Sequence, residues 1–155
     1  MLHLTPSEQK LLNHAKKQVV KYNKIRHARS GIDTLYAFVV SDSGKIHDGG
    51  CLEVDSISHA SVCGERHAIA NMVLAESYQA KVKTVVVADP VPKVQKDSST
   101  PCGTCRALLW EFGTPQTTVI CLQYIQKPNG WIFPKWQKFI LKDLYPHAYQ
   151  PVKWE

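Results

Sequence analysis

The hydrophobic positions fall into blocks whose period changes along the chain. Leu12, Ala15, Val19 and Tyr22 recur at helical spacing. Ahead of them, Thr5-Pro6-Ser7-Glu8 carries the signals of a helix start: a capping threonine, a proline suited to the first turn and a glutamate that completes a capping box. The pattern predicts an amphipathic helix with a basic outer face through about residue 23. Residues 34–40, Thr-Leu-Tyr-Ala-Phe-Val-Val, are rich in strand formers and run into the turn Ser41-Asp42-Ser43-Gly44. Lys45 to Glu53 can return as a second strand, so a hairpin is expected. Gly64 to Ala80 reads as a mostly apolar helix, and Val82 to Ala88 as a buried strand closing at Asp89-Pro90. A loop rich in Pro, Lys and Ser leads to Pro101, and Cys102 to Phe112 is helical with Gly113 as its C-terminal cap. Thr117 to Tyr124 makes another strand, Pro128-Asn129-Gly130 a turn, Trp131 to Phe133 a short edge strand, and Trp136 to Leu144 a final helix. The order β-β-α-β-α-β argues for a three-layer α/β domain on a mixed sheet, and residues 1–155 show no internal repeat or second domain.

Composition agrees with this picture: 155 residues with a 44% hydrophobic fraction suit one globular domain with a substantial core. The N-terminal Met1 to Pro6 does not resemble a basic segment followed by an apolar one, and no apolar run approaches the length of a membrane span. A cytoplasmic protein without a membrane partner is the expectation. The 19 basic and 13 acidic residues give a net charge of +6, which would suit nucleic acid or an anionic ligand. The lysines, however, are scattered from Lys10 to Lys153 with no dense run, so a solvated surface is the expectation and nucleic acid is not. Trp110, Trp131 and Trp136 are accordingly expected in the core or at a subunit interface.

The chemistry lies in the cysteines. Five is an odd number, and their placement is unlike that of a loop-rich disulfide scaffold. Cys63-Gly64-Glu65 is followed, 39 residues after Cys63, by Cys102-Gly103-Thr104-Cys105. Cys63 and the Cys102/Cys105 pair each stand at a predicted helix start, where N–H groups and the helix dipole favour thiolates. Three thiolates can hold a zinc ion with its fourth position open to water, and Glu65 is placed to move protons without being a ligand. Cys102-x-x-Cys105 alone would equally suit a thioredoxin-type redox pair, which leaves Cys63-Gly64-Glu65 unexplained. The joint pattern is the signature of a hydrolytic zinc deaminase with Cys in place of His in its first motif. Cys51 and Cys121 read as small buried hydrophobes.

A closed structural zinc would need a fourth ligand, and His67, four residues along the helix from Cys63, is the nearest candidate. A position outside the ligand set suits it better. His14, His27, His47, His59 and His147 carry no ligand spacing. Arg66 has two readings: a solvated helix arginine, or a guanidinium that offsets the net negative charge of three thiolates on one zinc by hydrogen-bonding a ligand sulfur.

At these positions the chain resembles the cytidine deaminase family, in particular its small homotetrameric members with three cysteine ligands. Val62-Cys63-Gly64-Glu65-Arg66 is similar to the family's Val-Cys-Ala-Glu-Arg, and Pro101-Cys102-Gly103-Thr104-Cys105-Arg106 to its Pro-Cys-Gly-x-Cys-Arg. Asp143-Leu144-Tyr145-Pro146-His147-Ala148-Tyr149 resembles its Glu-Leu-Leu-Pro-x-Ala-Phe. The resemblance implies a three-layer α/β/α domain with a five-stranded mixed sheet, zinc on Cys63, Cys102 and Cys105, and proton transfer by Glu65. It also implies a homotetramer with Tyr149 as an aromatic wall near a neighbour's site. Substrate contacts are implied at Leu52, Glu53, Val54 and Gly64, but here the chain departs from the family. Gly50-Cys51 stays in register, whereas Leu52 and Val54 replace an Asn and a Glu that hold the ribose hydroxyl. The family's aromatic residue ahead of its first strand falls at about Asp33, and the loop before Pro101 is several residues longer. Glu53 and Asp55 flank the replaced positions and are candidates for recruitment. The expectation is a zinc-dependent deaminase acting on an amino-substituted heterocycle through a rebuilt sugar pocket. A polynucleotide-editing protein and a catalytically silent zinc scaffold are the competing readings.

Overall fold

In the computed structural model, residues 3–29 and 31–150 are described. The readings placed on Met1, Leu2 and Lys153 lie outside them. Helix α1 (Pro6–His27) starts where the capping residues put it: Thr5 Oγ1 accepts the Glu8 N–H at 3.2 Å, and Glu8 Oε2 accepts the Thr5 N–H at 2.8 Å. It runs one turn beyond the predicted end. Arg26 and His27 complement the helix dipole there, and His27 Nε2 is tied to Asp33 Oδ1 at 2.7 Å.

Strands β1 (Tyr36–Ser41) and β2 (Ile46–Gly50) form the expected antiparallel hairpin. Helix α2 (Gly64–Ala75) stops five residues short of the expected Ala80. The reason is tertiary: Glu76, at its C-terminal cap, is held by the hydroxyls of Ser41 and Ser43 and by His47 Nε2 at 2.7 Å, all from the hairpin. Strand β3 (Val82–Pro90), helix α3 (Gly103–Phe112) and strand β4 (Thr118–Lys127) follow, β3 and β4 pairing in parallel across the α3 crossover.

The chain end differs most from the sequence reading. Residues predicted as a short strand plus a helix from Trp136 form one long strand, β5 (Gly130–Ile140), and only Leu141–Leu144 is helical, as α4. Trp136, Phe139 and Ile140 are spaced as on a helix, but pairing with β4 from Thr118↔Ile140 to Lys127↔Gly130 overrides that spacing. The apparent break at Pro134 is a bulge, in which Phe133 and Pro134 together oppose Tyr124. Proline is tolerated because β5 is an edge strand.

The five-stranded sheet has the order β2-β1-β3-β4-β5. Its strands alternate between two cores. Phe38, Val86, Ile120 and Tyr124 pack beneath Leu11, Leu12, Ala15 and Val19 of α1. Val39, Val85, Val87 and Cys121 pack beneath Ala68, Ile69 and Met72 of α2 and Leu109 of α3. This is the expected three-layer α/β/α arrangement, and it places the N-termini of α2 and α3 on the same side of the sheet.

Candidate metal centre

Two helix N-termini build the centre. Cys63 is the N-cap of α2 and Cys102 the N-cap of α3, neither forming a side-chain cap, while Cys105 lies in the first turn of α3. The three sulfurs lie within 4.8 Å of one another, with Cys105 buried, Cys63 half-buried and Cys102 exposed. Tetrahedral Zn–S bonds of about 2.3 Å need sulfurs about 3.8 Å apart, a separation within this bound, so the donor set fits zinc. All five cysteines are free thiols. Burial pushes the Cys63 and Cys105 thiols up. Burial acts on Cys102 too, but the Cys105 N–H and hydrogen bonding with the other two cysteines outweigh it and bring that thiol down.

Glu65 is 3% exposed in the first turn of α2. Burial raises its carboxyl above the ordinary range; its own backbone N–H and Cys105 oppose the rise, and the Asp89 charge adds to it. No fourth His, Cys, Asp or Glu joins the sulfur cluster among the described residues. His67, the candidate for a closed site, has its Nδ1 at 3.1 Å from Gly50 O and 3.3 Å from Gly50 N, on the outward edge of β2. The geometry thus leaves a fourth coordination position open.

Arg66 is half-buried and makes no hydrogen bond to a sulfur of the cluster. One Nη donates to Ser61 O at 2.7 Å, while its buried Nε has no hydrogen-bond partner. Arg106, which the sequence reading used only as part of a motif, is more heavily committed. Its guanidinium donates to Pro101 O at 2.7 Å, Thr100 Oγ1 at 2.6 Å and Leu144 O at 2.7 Å, bracing the approach to Cys102. Its place immediately after Cys105 was the available signal.

The substrate-side positions are split. Leu52 is 57% exposed and bridges to Val62, its N–H donating to Val62 O at 2.9 Å. With Cys51 and Val62 it lines a cavity of about 570 Å³ that extends to Tyr22, Tyr36 and His67. Val54 donates its N–H to Ser61 Oγ at 3.1 Å. Glu53 accepts from Thr34 Oγ1 at 3.1 Å, which anchors its carboxylate at the entry to β1. Asp55 is exposed. Gly64 is buried against β1, and a Cβ there would lie 3.1 Å from Ala37 N. Tyr149 is 74% exposed, its N–H donating to Tyr145 Oη.

Cys121, Trp110, Trp131 and Trp136 have packing roles. Cys121 is in the core, where burial pushes its thiol to about 12, whereas Cys51 is only half-buried. Trp131 donates to Asp33, Trp110 packs edge-on against Tyr145, and Trp136 packs against the α1-side core. No helix among the described residues is long and apolar enough to cross a membrane.

Comparison with known proteins agrees with this geometry. The family profile described as the cytidine and deoxycytidylate deaminase zinc-binding region matches residues 7–121. The cytidine deaminase of Burkholderia pseudomallei superposes with a TM-score of 0.63 at 20% identity, over 86% of this chain and 98% of that one. The cytidine deaminase of Bacillus anthracis gives 0.55 at 18% identity, over 91% and 88%, and that of Mycobacterium tuberculosis 0.54 at 20%, over 76% and 80%. No curated protein matches the sequence.

Proposed function

The chain belongs to the cytidine and deoxycytidylate deaminase zinc-binding family and is a zinc-dependent deaminase, and we propose that its substrate is an amino-substituted, pyrimidine-like heterocycle held through a rebuilt sugar-side pocket. Cys63, Cys102 and Cys105 would hold the zinc. When bound, zinc supplies the Lewis acidity that activates water for attack on an amidine-like carbon. Glu65, buried beside the sulfurs, takes the proton of the attacking water and passes it to the amino group, so that the C–N bond breaks, ammonia leaves and a carbonyl remains. Arg66 lies close enough to lower the Glu65 carboxyl electrostatically and is the cation available to balance three thiolates.

The observation that carries the substrate reading is the apolar pair at 52 and 54. Neither Leu52 nor Val54 has a side chain that can hydrogen-bond a sugar hydroxyl, and the neighbouring Glu53 is engaged by Thr34 at the start of β1. A free base, a modified nucleoside or a nucleoside antibiotic fits such a pocket better than plain cytidine. Ammonia release should be measured for the zinc-loaded protein on a panel of cytidine, deoxycytidine, cytosine and ring- or sugar-modified analogues. The expected result is turnover of analogues above cytidine; efficient turnover of plain cytidine would defeat the rebuilt-pocket reading.

Homotetramer assembly fits the same reading. Leu74 and Tyr78 are 89% and 77% exposed beside an apolar groove between α2 and α3, lined also by Val73, Leu108 and Phe112. Sedimentation of the zinc-loaded protein as a monomer would refute it.

A further inference from the structure

Residues 91–101 link β3 to α3 and deliver Cys102 and Cys105 to the centre, yet they form no helix or strand. A segment of this kind must satisfy its backbone groups elsewhere, and this one does so on side chains of the sheet. Gln123 of β4 is fully buried, in register with Asp89 of β3 and Lys135 of β5. Its side-chain amide imitates a neighbouring strand: Oε1 accepts the Gln95 N–H at 2.8 Å, and Nε2 donates to Gln95 O at 3.0 Å. The second Nε2 hydrogen serves Ser98 Oγ, also at 3.0 Å. Two residues of β5 add to the hold. Gln137 Oε1 accepts the Ser98 N–H at 2.6 Å, and Lys135 Nζ donates to the carbonyls of Gln95 and Lys96.

We infer that Gln123 is a positioning residue of the metal centre, which together with Gln137 sets where the 91–101 segment lies and hence where Cys102 and Cys105 present their sulfurs. This inference rests on the zinc reading given above. A primary amide in the middle of a sheet is costly to bury unless its hydrogen bonds are made, and here three of its four are made, all to this segment. Glutamate at this position would lose both donations, and leucine would lose all three bonds. Arg106 braces the same segment at Thr100 and Pro101. The chain is thus pinned on the sheet at Gln95 and Ser98 and again immediately before its first sulfur. Partners bonded directly to metal ligands are typically worth about 10- to 100-fold in metal affinity, and residues that act through the segment should fall at the lower end of that range.

The test measures zinc affinity by chelator competition and the thiolate-to-metal absorption of the cobalt form for the whole chain. Wild type is compared with Gln123→Leu, Ser98→Ala and Gln137→Met, the last two being milder and informative even if Gln123→Leu does not fold. Val19→Ala, which thins the core on the opposite face of the sheet, reports on general destabilisation. Expected are a zinc affinity about 10-fold or more weaker and a shifted cobalt spectrum for Ser98→Ala and Gln137→Met, with Val19→Ala melting lower at unchanged metal affinity. Wild-type affinity and spectrum in both milder variants would overturn the inference, as would an equal loss of affinity in Val19→Ala. A wild-type chain that binds no zinc, or whose binding survives Cys102→Ala, would overturn the zinc reading and this inference with it.

Discussion

Gly49 is where the fold and the metal centre depend on the same atom. It sits on β2 under the first turn of α2, and a Cβ built there would lie 2.3 Å from Gly64 O, 2.4 Å from Ala68 N and 2.9 Å from Ala68 Cα. All three are backbone atoms, so no side-chain rotation relieves the clash. Restoring ordinary contact requires β2 and α2 to separate by ~1 Å. Overpacking of this kind costs about 1–3 kcal/mol, and a rigid backbone neighbour puts Gly49→Ala at the top of that range, ~3 kcal/mol. For a chain of this size that lowers the melting temperature by roughly 6–12 °C. Cys63 immediately precedes Gly64, so the same displacement exceeds the ~0.2 Å tolerance of a Zn–S bond, and zinc affinity should fall with stability. Thermal unfolding by circular dichroism, with and without zinc, measures the first effect and chelator competition the second. Gly103→Ala is the control: it also lies beside a cysteine of the sulfur cluster, but a Cβ there meets nothing within 4 Å. Its helical position should make alanine neutral or stabilising by up to about 1 kcal/mol. A Gly49→Ala protein that melts within 2 °C of wild type would show that the β2–α2 approach is not sterically limited, and the reasoning would fail.

Glu65→Ala should reduce deamination by at least about 10²-fold while zinc content stays at the wild-type level; activity retained at that zinc content would remove Glu65 as the proton carrier. The pH dependence of stability should be visible at Glu8. Burial alone would raise its carboxyl, but Lys138 Nζ at 2.7 Å, the Thr5 N–H and the Thr118 hydroxyl hold it below the ordinary range. A carboxyl lowered in the folded state contributes stability above its unfolded pKa and loses it as the pH falls through the folded value. Glu8→Gln should therefore destabilise the fold at neutral pH, and the gap to wild type in urea unfolding should narrow as the pH is lowered below about 4; a gap that does not change with pH refutes the assignment.

The helix starts, including the two that carry the centre, were legible in sequence because each signal is local. A capping threonine three residues from a glutamate, a cysteine opening each of two helices, and a glutamate in the first turn of one of them are short-range patterns, and the structure keeps every one. The hairpin and the strands that became β3 and β4 were legible for a similar reason: they are hydrophobic enough to demand burial, while the parallel pairing of β3 with β4 came from the fold. What the sequence determined by itself was thus the class of chemistry and the layers that carry it. Tertiary structure decided the rest, wherever a partner distant in sequence outweighed local preference. Trp136 to Ile140 became strand because β4 offers a ladder along its whole length, α2 ended at Ala75 because the hairpin captured Glu76, and His67 turned to the edge of β2 instead of the sulfurs. Gln123 shows the difference most fully. In sequence it is one polar residue in an apolar strand; only the fold brings residues 95–98 against it, because a hydrogen bond depends on distance in space and a sequence records only distance along the chain.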